Sequence, residues 1–306
     1  MNSLWQSKLF VRAIFSIAAL GGTAFHFARR RFNRKCQRVP LAALSKSSAC
    51  RNFIDSSENL PQQTAWGLHN SRLLSSWPGS SGTPTHWVPS FAAVQVEIPV
   101  ELLASKSEDN DFDLLPAIKK LVSAFLDARA AGIEPWILDR DVPSLSFGPG
   151  HHLFGTKPDP GAFLLGTWSS VPGEALEPLE LPNNAPLPVA AFPSNRDAVQ
   201  AGEHESAGLV LYWRAVERSV HAFNRAMVRV GLPWHFMEGG FQEFIVERVS
   251  EKTVRVTYVS VEASRVSDDE GQQKREFGRL PWLLYEMHVM YAQHLLLGAI
   301  RGLGAQ

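Results

Sequence analysis

Between Phe241 and Arg248 the chain alternates. Phe241, Glu243, Ile245 and Glu247 fall on one side of an extended backbone, and Gln242, Phe244, Val246 and Arg248 on the other. From Thr253 to Glu262 the β-branched residues thicken, with Val254, Val256, Val259 and Val261 around Tyr258. Only Ser250, Glu251 and Lys252 separate the two runs, so they predict an antiparallel hairpin. After a polar gap comes LPWLLYEMHVMYAQHLLLGAIRGL. Leu280, Leu284, Met287, Tyr291 and Leu295 share one helical stripe there, and Leu283, Met290, His294 and Leu297 an adjoining one. So broad an apolar surface predicts a helix covered on most of its circumference, by a curved antiparallel sheet closing on it.

At 306 residues with 45% apolar content the chain can bury one large core. Its zero net charge hides two unlike parts. Residues 1–54 hold ten Lys and Arg and no Asp or Glu, which leaves 20 basic against 30 acidic residues in the body. An acidic body argues against nucleic acid as its partner. Cys36 and Cys50 are the only cysteines and lie in the basic leader, so neither a disulfide framework nor a cysteine-based zinc site can support the fold.

Leu9–Ala28 is mostly apolar and about long enough to span a bilayer, although Arg12, Gly21, Gly22 and His26 interrupt it. Arg29, Arg30, Arg31, Arg34, Lys35 and Arg38 follow it, against Lys8 and Arg12 before it, so a single-pass anchor would leave the body cytosolic. A mitochondrial presequence is the alternative, since Arg and Ser are plentiful and acidic residues absent. A secretory signal peptide fits poorly, because its basic residues should precede the apolar run. The organisation expected is an anchor with basic flank at 1–40, a turn-rich linker at 41–85 and a domain at 86–303 with a proline-rich insertion at 169–207.

Within that domain Trp87–Val100 reads as a first strand. A helix follows, with Leu114, Leu115, Ile118, Leu121, Val122, Phe125 and Leu126 at three- and four-residue steps. Residues 144–168 read as two short strands around a turn, and Leu209–Trp213 as another strand. The fold class is therefore α+β. In this order of elements, in Gly239-Gly240 before the QEFIVE strand, in VRVTYVSVEASR and in the ending LLYEMHVMYAQHLL, the chain resembles the START-like, or helix-grip, superfamily. The resemblance implies an elongated cavity between sheet and C-terminal helix that holds an apolar small molecule, and in some branches catalyses cyclisation, dehydration or hydrolysis.

Candidate chemistry is sparse. His235 could act as a base at a cavity mouth. Tyr258 and Glu262 would be polar groups inside an apolar cavity if their strand face points inward, where a carboxyl becomes fit for acid-base work. Otherwise Glu243, Glu247 and Glu262 are solvated at the sheet surface or rim. Met287, Met290, Tyr291 and His294 are the helix residues expected to line ligand space. His151 and His152 are adjacent on a probable strand and point to opposite faces, so they make no metal pair. Gly150-His-His-Leu-Phe-Gly155 lacks the Lys-Ser/Thr ending of a phosphate loop. No cofactor or metal is called for. Three roles follow: membrane-anchored binding of a lipid or apolar metabolite, a biosynthetic cyclase, isomerase or hydrolase using the same cavity, or an assembly factor with a filled core.

Overall fold

The computed structural model describes residues 22–51, 74–78, 84–104, 112–132, 152–154, 162–170, 204–214, 217–231, 239–266 and 282–305. Six strands make a continuous antiparallel sheet: β3 (Pro84–Pro99), β4 (His152–Phe154), β5 (Ala162–Ser169), β6 (Ser206–Arg214), β7 (Gly239–Arg248) and β8 (Thr253–Val266). Their order across the sheet is β3-β8-β7-β6-β5-β4, so the first long strand lies beside the last and the others meander. Two short strands, β1 (Gln37–Arg38) and β2 (Leu74–Pro78), pair with the free edge of β3. That protects an edge that would otherwise present unpaired backbone groups.

The hairpin forms where alternation and polar connection predict it. β7 and β8 pair from Gly239 opposite Ala263 to Arg248 opposite Val254. The connection closes as the Val249 and Ser250 amides donate to the Thr253 carbonyl at 3.1 Å. The proline-rich insertion does not disturb the sheet. Ser170 donates its amide to the Ser206 carbonyl at 2.8 Å, and the Ser206 amide donates to the Ser170 hydroxyl at 2.8 Å, so the chain leaves and returns at one point. Residues 171–203 themselves lie outside the described residues.

Among the described residues four long helices accompany the sheet: α1 over 22–35, α2 (Leu114–Ala130), α3 (Glu217–Arg229) and α4 (Trp282–Gly304). Asp113 caps α2 by accepting from the Leu115 amide at 3.0 Å, which satisfies one of the orphan donors of a helix start. Gly231, at φ 71°, takes a left-handed conformation just beyond α3. One sheet face, carrying Val94, Leu209, Leu211, Phe244, Val246, Val254, Val256 and Tyr258, packs against Ile118, Leu121, Val122 and Phe125 of α2 and Val289, Leu296 and Ala299 of α4 in a single core.

Residues 37–51 carry the other face. The chain passes from α1 around the sheet edge through β1, where the Val39 amide donates to the Ala93 carbonyl at 3.0 Å. Leu41, Leu44, Ser47, Ser48, Ala49 and Cys50 are then all buried. Composition marks 41–85 as linker, yet residues 41–51 are packed structure: Leu41 and Leu44 are buried, and Ser48, Ala49 and Cys50 reach Glu243, on the sheet face that alternation turns away from the helices. We call residues 22–51 the strap.

No helix among the described residues is long and apolar enough to cross a membrane. Residues 1–21, which hold most of the apolar run, lie outside the described residues.

Candidate functional site

Two fully buried glutamates, one on each side of the sheet, receive the strap. Glu286 on α4 faces inward and meets the basic residues that follow the apolar run. Arg38 donates to both its oxygens, Nη1 to Oε1 at 2.8 Å and Nη2 to Oε2 at 2.6 Å. Arg29 adds a second cation, its Nε 2.5 Å from Oε2. A two-pronged guanidinium matches both lone-pair directions of a carboxylate, which a lysine at the same place could not do. Two turns along α4, the buried Gln293 donates to Asn33 at 2.9 Å and to the Cys36 carbonyl at 2.7 Å. His294 meets Phe32 edge to face at 6.2 Å between ring centres. Thus α1 is docked along α4 through polar contacts at every other turn.

Glu243 on β7 is the second anchor, and it corrects the surface position expected for it. Its carboxylate is fully buried with four donors around it, three of them from the strap. Oε1 accepts from the Ala49 amide at 2.7 Å and from Trp168 Nε1 at 2.7 Å. Oε2 accepts from the Ser48 hydroxyl at 2.6 Å and the Cys50 amide at 3.0 Å. The chain turns helical at residues 49–51, so the two amides are orphan donors of a helix start, and a carboxylate there is favoured. Burial pushes the carboxyl above its ordinary value, and the donated hydrogen bonds pull it back.

Trp168 can reach Glu243 only because position 208 has no side chain. β5 and β6 pair Trp168 with Gly208, and a Cβ at 208 would lie 2.1 Å from the indole Nε1. The indole therefore lies against the glycine, and Trp168 ends almost wholly buried. Both cysteines belong to the strap and are free and buried. Burial pushes the Cys36 thiol up to about 12, and burial with the neighbouring Glu243 raises that of Cys50. Neither is poised as a nucleophile.

The residues expected to line a cavity are placed differently. Tyr258 does face the helices, yet its ring lies 4.7 Å from Phe125 and 5.1 Å from Phe244, and those two stand 4.8 Å apart. Three aromatic rings thus occupy the middle of the space between sheet and helices, and Tyr258 is a packing residue there. Met287 and His294 lie on the exposed face of α4, with Met290 and Tyr291 half-buried beside them. The face turned inward belongs to Glu286, Val289, Ala292, Gln293, Leu296 and Ala299. The large apolar stripes taken as covered are in part the outer surface, because small alanines allow close approach to the core and the strap partners the two polar residues. Glu247 is half-buried and pairs with Arg255 at 3.2 Å, which also reaches Glu97 at 2.9 Å. Exposed pairs of this kind contribute little. Glu262 has its backbone in β8 opposite Ser90 and Gly240, and its side chain, like all of His235 and His151, lies outside the described residues. Among the described residues no group of three metal-ligating side chains converges.

Sheet, helices and strap define an α+β domain with an antiparallel sheet and a C-terminal helix. Comparison with family models, with curated proteins and with solved structures gives no match for this chain.

Proposed function

We propose that the protein is a membrane-tethered assembly body, held at a bilayer by the apolar run 9–28 and carrying its α+β domain on the side of the basic block. The observation that carries this reading is the double grip of Arg29 and Arg38 on buried Glu286. It ties α1, which carries residues 22–28 of the apolar run, to the body, so a bilayer holding that run would lie close against the domain. Membrane-bound and mitochondrial destinations are both compatible with such a chain, with one constraint. A presequence cut downstream of Arg38 would strand a buried carboxylate, at about 3–5 kcal/mol for a broken buried pair. A cut that keeps the whole grip falls upstream of Arg29. The packed rings of Phe125, Phe244 and Tyr258 between sheet and helices support assembly over carriage.

The second reading, a helix-grip domain that binds an apolar small molecule, is favoured by topology: β3 pairs with β8, and α2 and α4 share one face of the sheet. Its guest would lie toward an end of the sheet, clear of Phe125, Phe244 and Tyr258. An enzyme on the same site would have to work without Tyr258 as an open polar group.

Flotation of the full-length protein with lipid vesicles, followed by alkaline carbonate washing, tests the tether. Wash-resistant flotation is expected, and recovery of the protein in the soluble fraction would overturn it. Mass spectrometry of the same preparation separates the two roles, since a stoichiometric apolar molecule would favour the second.

A further inference from the structure

We propose that the outer face shared by α1 and the first turns of α4 is a second membrane contact, seated on an anionic bilayer; this rests on the tethered reading above. Leu283, Leu284 and Met287 are 47%, 43% and 52% exposed at the start of α4, and Phe27 is 63% exposed on α1. An apolar patch turned to solvent while the same helix buries a glutamate and a glutamine is an inverted arrangement, and such patches mark interaction surfaces.

The two helices meet here, since Arg29 of α1 reaches Glu286 of α4, close in sequence to Leu283, Leu284 and Met287. Charge identifies the occupant. Of the six basic residues after the apolar run, Arg29 and Arg38 are taken by Glu286, while Arg30, Arg31, Arg34 and Lys35 are exposed. Phe27, Arg30, Arg31 and Arg34 follow at steps of three, four and seven, which puts them on one face of α1. Apolar side chains beside clustered arginines suit the boundary between acyl chains and anionic headgroups. The apolar run ends at residue 28, inside α1, so the basic face of α1 follows directly on the tether.

The test uses the full-length chain with an environment-sensitive fluorophore on Met287→Cys, and a control on the exposed Lys252→Cys of the β7–β8 turn. Vesicles of phosphatidylcholine, with or without about one-third phosphatidylglycerol, carry a brominated-lipid quencher. Expected is flotation with quenching at 287 in the anionic vesicles and none at 252. Replacing Arg30, Arg31 and Arg34 by Glu should lower the docked-to-undocked ratio by about five-fold or more per residue, given the attraction of each basic group to an anionic surface. Flotation with position 287 in water in both vesicle types overturns the docking face and leaves the tether standing. No flotation overturns both. Protection of 287 before vesicles are added would assign the face to a second copy of the chain and also overturn the proposal.

Discussion

Arg38 holds both oxygens of Glu286 across 248 positions of sequence, and the contact makes the N-terminal basic block part of the hydrophobic core's boundary. The same block reads in sequence as a membrane flank, and both descriptions are physically compatible because different arginines serve them.

Replacing Glu286 with Ala removes the acceptor for two cations and leaves both partly buried. The expected loss is about 3–5 kcal/mol, the range for removing one member of a buried pair. Urea denaturation of the variant beside Arg38→Ala and the double mutant checks it. The double mutant should lose clearly less than the sum, since both changes break one contact.

Glu243→Gln keeps the shape but turns an amide group toward donors that need an acceptor. A loss of about 2–3 kcal/mol is expected for hydrogen bonds to a buried charge. The pH dependence has a definite sign. Burial raises this carboxyl above 4.5, so between its unfolded and folded values the native chain binds more protons, and its contribution to stability falls as pH rises through that window. The stability advantage of wild type over Glu243→Gln should therefore shrink as pH is raised from about 4.5 and then level off. An advantage that grows with pH would mean that the four donors outweigh burial.

Gly208→Ala drives a methyl group into the Trp168 indole. Overpacking costs about 1–3 kcal/mol, and displacing Nε1 from Glu243 adds to it. In the Trp168→Phe background, where no indole N–H is at stake, the same substitution should lose less. Thermal melts of the four proteins in the cycle read the difference.

Much of the fold was legible because period and turn chemistry act locally. The alternation of 241–248, the β-branched run of 253–262 and the three- and four-residue steps of 114–126 are properties of short windows, and β7, β8 and α2 form there. The polar anchors were not legible in that way. Glu243 sits among alternating residues like any solvent-facing glutamate, and only the distant strap makes its face interior. Glu286 and Gln293 are seven apart and so share a stripe of α4, a pattern that reads as a polar outer face until Arg29, Asn33 and Arg38 are placed against it. Gly208 offered a signal, a lone glycine within the apolar SAGLVLYW strand where something must approach closely, but it does not name the indole that does.

The most direct measurement compares two truncations by circular dichroism and urea denaturation. Deleting residues 1–21 should leave a chain that unfolds in one cooperative transition, because the strap contacts of Glu243 and Glu286 survive. Deleting residues 1–51 should abolish that transition, since both carboxylates lose their strap partners and one sheet face is stripped of cover. A 52–306 chain that unfolds cooperatively, with the stability of the full-length protein, would contradict the central claim that the strap is integral to the domain.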